Sequence, residues 1–158
     1  MFNCNKLMVI ASLNLSIALL ITGCNENKQA QCQRLIKVVN EGTSLIEKNK
    51  GSQVTLSLGL AKDLESVAKK IARQNFKDPK IEDIKNQYAK NFETKSKNIG
   101  SAAKALGSSK TAEVSSAGRV QVRKAKKDIE ISLKAVSDTA KQSDTLANEL
   151  NEYCTQAE

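Results

Sequence analysis

The chain has 158 residues, enough for one domain, and carries 25 Lys plus Arg against 17 Asp plus Glu, a net charge of +8. It contains no histidine, no tryptophan and a single proline. Without histidine there is no Ser-His-Asp triad, no Cys-His dyad and no histidine-ligated metal or haem, so neither an enzyme nor a cofactor is expected.

The chain opens on a short polar stretch with one cation, Lys6, followed by the apolar run Leu7 to Ile21. Twelve of those 15 residues are apolar, and Ser12, Asn14 and Ser16 interrupt them. A membrane-spanning helix needs about 20 predominantly apolar residues. The shorter run reads as the hydrophobic region of a secretory signal peptide. It ends at Ile21-Thr22-Gly23-Cys24.

That tetrapeptide resembles the lipobox of bacterial lipoprotein precursors, with Thr22 and Gly23 in the small positions and Ile21 where the family most often has Leu. The resemblance implies cleavage before Cys24, diacylglycerol in thioether linkage on Cys24, and acylation of the new amino terminus. The mature protein would then be tethered through lipid to the extracytoplasmic side of a membrane rather than span it. Residues 1–23 are accordingly read as signal peptide, 24–29 as a lipidated tether and 30–158 as a helical domain. Cleavage removes Lys6 and no acid, so the net charge falls by one.

Of the remaining cysteines, Cys4 leaves with the signal peptide, while Cys32 and Cys154 stand near the two ends of the mature chain. An exported compartment permits a Cys32–Cys154 disulfide, which would close a loop of about 120 residues and stabilise by about 4–5 kcal/mol in the chain-entropy model. The alternative is two buried free thiols.

Spacing of three and four residues dominates the rest of the chain and predicts helices throughout. A first helix over about 28–49 places Cys32, Leu35, Val39 and Ile46 on one stripe, with Ile36 and Val38 beside it. Lys50-Gly51-Ser52 reads as a turn. A second helix over about 53–75 aligns Val54, Leu60, Leu64, Val67 and Ile71. Asp78-Pro79 is a helix start, with Asp78 as N-cap and Pro79 in the first turn. This third helix is expected to run through Ile81, Ile84, Tyr88, Phe92, Ile99 and Ala102, interrupted by Lys95, and to stop at Gly107-Ser108-Ser109.

Thr111 is expected to cap a fourth helix over about 112–154. Val122, Ala125, Ile129, Leu133, Val136, Ala140, Ser143, Ala147, Leu150 and Cys154 step through it by threes and fours, as the a and d positions of a heptad do. A helix that long either overhangs its partners or bends, and an irregular start near Ser115-Ser116-Ala117-Gly118 is the expectation. Four helices joined by short turns predict an all-α, antiparallel up-down-up-down bundle with a long C-terminal helix. That topology brings Cys32 and Cys154 to the same end.

Charge is uneven along the fourth helix. Residues 107–127 hold six cations against Glu113, whereas residues 128–158 hold Lys134 and Lys141 against seven acids. Arg119, Arg123, Lys126 and Lys127 share a sector of about 100° on the helical wheel and are the candidate site for an anionic partner. Nucleic acid is not expected, because Phe76, Tyr88, Phe92 and Tyr153 are the only aromatics after the signal and form no stacking platform. The carboxylate pairs Glu82/Asp83 and Asp128/Glu130 fall on faces expected to be exposed. No small-molecule substrate is evident.

The runs Gln31 to Asn40, Lys110 to Glu113 and Glu152-Tyr153-Cys154 resemble small helical lipoproteins of cyanobacteria with no assigned chemistry. The resemblance implies a source group and no activity. The expected function is a lipid-anchored interaction or assembly module for another envelope protein. The alternative is a binding module for an anionic polymer or acidic partner through the basic stretch.

Overall fold

Asp78 begins the best-capped helix of the chain, accepting hydrogen bonds from Lys80 N at 2.9 Å and Ile81 N at 3.0 Å, with Pro79 in the first turn where a missing N–H costs nothing. The structure is a computed structural model and describes residues 26–49 and 53–156. Cys24, the signal peptide and the expected turn at residues 50–52 lie outside the described residues. Within them are four helices and no strand: α1 (Lys28–Lys48), α2 (Val54–Ala72), α3 (Pro79–Lys110) and α4 (Ser116–Thr155).

Each helix but α2 has a side-chain N-cap. Asn27 Oδ1 accepts from Ala30 N at 2.8 Å, and Ser115 Oγ accepts from Gly118 N at 3.0 Å. Two expected boundaries are corrected. Gly107-Ser108-Ser109 does not stop α3, which continues to Lys110. Ser109 Oγ returns a hydrogen bond to Leu106 O at 2.8 Å, supplying locally what a break would have left open. Thr111 is therefore the C-cap of α3 rather than the N-cap of α4, its N–H donating to Gly107 O at 3.3 Å. The irregular segment before α4 covers residues 112–115, slightly earlier than expected: Ser116, Ala117 and Gly118 are already helical, and Ser115 takes the capping role.

The core gathers Leu35 from α1, Leu64 and Ile71 from α2, and Ile81, Ile84, Tyr88 and Phe92 from α3. Hydrogen bonds fix how the helices run. Ser96 Oγ donates to Ala61 O at 2.7 Å between α3 and α2. Lys80 pairs with Glu149, Lys95 Nζ reaches Ser143 Oγ, and Gln121 Nε2 reaches Ser108 O at 2.8 Å, so residues late in α4 meet residues early in α3. Cys32 and Cys154 stand at bonding distance as a disulfide, with Cα atoms 6.0 Å apart and 122 residues between them in sequence.

The α4 seam differs from the expected stripe. Buried are Gly118, Ala125, Ser132, Thr139, Leu146, Leu150 and Cys154. Leu133 is exposed where Ser132 is buried, and Ala140 and Ala147 are exposed where Thr139 and Leu146 are buried. Three steps of the expected stripe were thus one residue too far, which turns each by about 100°. Small side chains line the seam, and Thr139 satisfies its own hydroxyl by donating to Ala135 O at 2.6 Å, so burying it carries no unpaired group. In α3 the buried alanine is Ala103 rather than Ala102.

Helix lengths leave part of α4 without α1 beside it. The 21 residues of α1 span about 32 Å and the 40 residues of α4 about 60 Å at 1.5 Å per residue. Lys28 Nζ donates to Gln156 O at 2.8 Å, which sets α1 beside the C-terminal end of α4. The first half of α4 therefore has α3 alongside it and no α1.

Candidate interaction surface

Arg119, Arg123, Lys126 and Lys127 all lie on α4 and all are exposed. Lys126 faces Glu130 at 4.0 Å, and Arg119, Arg123 and Lys127 have no carboxylate within that distance among the described residues. The structure adds apolar flanks to this ridge. At 100° per residue, Val120 and Ile131 fall on one side of it and Val122 and Leu133 on the other. These four are exposed at 56%, 57%, 43% and 53% respectively. Val122 and Leu133 belong to the expected core stripe, and the shifted seam is what leaves them outside. Val120 and Ile131 were not singled out from sequence, because each stands alone among polar neighbours. Their separation of three helical turns is the signal that could have found them.

The opposite end of α4 is tied down. Tyr153 Oη donates to Asp78 Oδ2 at 2.8 Å, and the ring of Tyr153 lies 5.0 Å below Lys28 Nζ. Arg34 holds Glu26 through two hydrogen bonds, Nε to Oε1 at 3.0 Å and Nη2 to Oε2 at 2.6 Å. The same guanidinium donates to Gln74 Oε1 and Asn75 O and stacks 4.2 Å from the Phe76 ring. Buried Gln31 completes the end: its Oε1 accepts from Lys77 N and Asp78 N, and its Nε2 donates to Glu26 O. Neither Arg34 nor Gln31 was marked as structural from sequence, since both are polar, although Gln31 falls on the same face of α1 as Leu35 and Val38.

Carboxylates at this end are held charged. Burial is the largest influence on Asp78 and raises its pKa, but donors from Ile81, Tyr153 and Lys80 together outweigh it and keep the carboxyl below its ordinary range. The Lys85 hydrogen bond, at 2.5 Å, holds Glu82 below its ordinary range as well. Glu82 is thus half-buried and engaged rather than on an open face, unlike Asp83, Asp128 and Glu130, which are exposed.

A groove of about 620 Å³ opens between α1 and α4. Ile36, Val39 and Ile46 form one wall, Ala140, Ala147 and Leu150 the other, and Tyr88, Phe92 and Lys95 of α3 the floor. Burial pushes the Tyr88 phenol up to about 12. Burial also pulls the Lys95 ammonium down, against the nearby charge of Asp144.

Among the described residues no cluster of three His, Cys, Asp or Glu could hold a metal ion, and no helix is long and apolar enough to cross a membrane. Comparison with family models, curated proteins and solved structures finds no match to this chain.

Proposed function

We propose that this chain is a lipid-anchored, non-enzymatic interaction module: an antiparallel up-down-up-down four-helix bundle, exported and tethered through Cys24, that docks another envelope protein on the first half of α4. The observation that carries the reading is the set of exposed apolar side chains, Val120, Val122, Ile131 and Leu133, flanking a cationic ridge on the part of α4 that α1 does not reach. Exposed aliphatic groups on both sides of a cationic ridge make a contact patch that can bury apolar area while the ridge between them pairs with a partner's acidic groups.

The tether geometry supports the same reading. Glu26, two residues beyond Cys24, is already held by Arg34. Acylation at Cys24 would therefore hold the disulfide end close to the membrane. The ridge around Arg123 would stand about 50 Å away along α4, out where a partner domain is accessible.

Pull-down from solubilised envelope with the purified protein tests the reading. Val120→Ser with Ile131→Ser should weaken partner recovery about tenfold or more while the wild-type interaction persists at high salt. Unchanged recovery would contradict it. A second reading, an anionic polymer or acidic partner, is favoured by the three cations with no carboxylate partner. It requires the opposite salt behaviour: loss of binding at high salt and on reversing Arg119, Arg123, Lys126 and Lys127, with Val120→Ser and Ile131→Ser neutral. For the lipid, Cys24→Ala should release the protein from the membrane fraction and remove the acyl mass; unchanged fractionation would contradict anchoring.

A further inference from the structure

Lys95 stands where the α3 seam calls for an apolar residue, and it is only 7% exposed. An ammonium has three donors. Among the described residues its one oxygen partner is Ser143 Oγ at 2.7 Å, with the Phe92 ring centred 5.3 Å away and no carboxylate within ion-pair distance. Ser143 Oγ is already committed: it also takes Asn91 Nδ2 at 3.5 Å and donates to Thr139 O at 3.1 Å. A cation buried with so little compensation costs stability unless an anion completes it. The groove between α1 and α4 opens onto this group.

We propose that the groove binds a single-chain amphiphile with a carboxylate head, the carboxylate pairing with Lys95 beside Ser143 and the alkyl chain lying against Ile36, Val39, Ile46 and Phe92. The volume of about 620 Å³ falls within the range of small-molecule sites, about 300–1,000 Å³. The wall from Ile36 to Ile46 runs about 15 Å, the scale of an extended medium-length chain rather than of a compact metabolite. Charge selects the head. Lys95 is the single buried cation of the groove, and Glu47 and Asp144 stand exposed among its lining residues. Solvent screens the two exposed carboxylates more than the buried ammonium, so Lys95 can pair with a single negative charge, whereas the two carboxylates disfavour a phosphate dianion. This site is separate from the exposed ridge of α4, so the two proposals stand or fall apart.

Calorimetric titration of the purified full-length protein with decanoate and with decanol tests the proposal. Decanoate should bind saturably at one site. Lys95→Met should weaken decanoate about tenfold and leave decanol within about twofold, the loss expected of one charge-assisted pair. Ala147→Trp, at an exposed wall position, should weaken both ligands about tenfold with Tm unchanged. Asp144→Asn should tighten decanoate and not decanol, which keeps the test decisive if Lys95→Met fails to fold. Absence of saturable decanoate binding, equal affinity for the two ligands, or indifference to both Ala147→Trp and Asp144→Asn would overturn it.

Discussion

Gly42 of α1 lies directly against Phe92 of α3: a Cβ on Gly42 would sit 2.4 Å from Phe92 Cε1 and 2.9 Å from Val67 Cγ1. Phe92 is 2% exposed, so its ring, together with Val67, would have to shift within the packed core to admit the methyl group. Glycine in mid-helix normally costs about 1 kcal/mol relative to alanine, so Gly→Ala would ordinarily stabilise. Here the overlap decides the sign. Gly42→Ala is expected to destabilise by about 1–3 kcal/mol, read from urea or guanidinium unfolding. Stabilisation would mean that α1 does not approach α3 this closely.

The Cys32–Cys154 pair closes a 122-residue separation. Its removal should cost about 2–5 kcal/mol, chiefly by freeing the unfolded chain. Reductant should lower the Tm of the wild type and have no further effect on Cys32→Ser. A Tm that reductant does not move, with two titratable thiols in the unfolded protein, would contradict the bridge.

The seam of α4 separates two neighbouring residues. Leu133→Ser should change stability by less than about 0.5 kcal/mol, as an exposed substitution. Ser132→Leu should cost about 1–3 kcal/mol, because the buried small position has no room for it. Sequence reasoning assigns these two residues the other way round. Hydrophobicity marks Leu133 as core, whereas close packing on α3 selects the small Ser132 and lets Thr139 satisfy itself within its own helix.

The rest of the fold was legible to different depths. Three- and four-residue spacing located all four helices, and Asp78-Pro79 marked the start of α3 to the residue. The boundary between α3 and α4 was not legible: Thr111 and Ser115 are both good capping residues, and composition does not say which one begins α4. The basic ridge was legible as charge, since all its members share one sector. Its apolar flanks were not, because half of them pass for core. Lys95 was visible only as an interruption; that it is buried, with one oxygen partner, needed the structure.

Acid should loosen the disulfide end first. Asp78 and Glu82 are both held below their ordinary values, so the folded state binds their protons less tightly than the unfolded chain does. Their contribution is present above the unfolded carboxylate values and is lost as pH falls through the depressed folded ones, a window beginning near pH 4.5. Asp78→Ala, which also removes the N-cap of α3 and the acceptor of Tyr153, should cost about 1–2 kcal/mol at neutral pH and flatten the acid limb of the stability profile. An unchanged acid limb would show that Asp78 does not carry this dependence.

The most direct measurement is site-specific photo-crosslinking in the native envelope, with the reactive residue placed at Ile131 on the exposed face of α4 or, as control, at Lys62 on the exposed surface of α2. The expected result is a discrete adduct with one envelope protein from Ile131 and none from Lys62. No adduct at Ile131, or the same adduct from both positions, would contradict docking on α4.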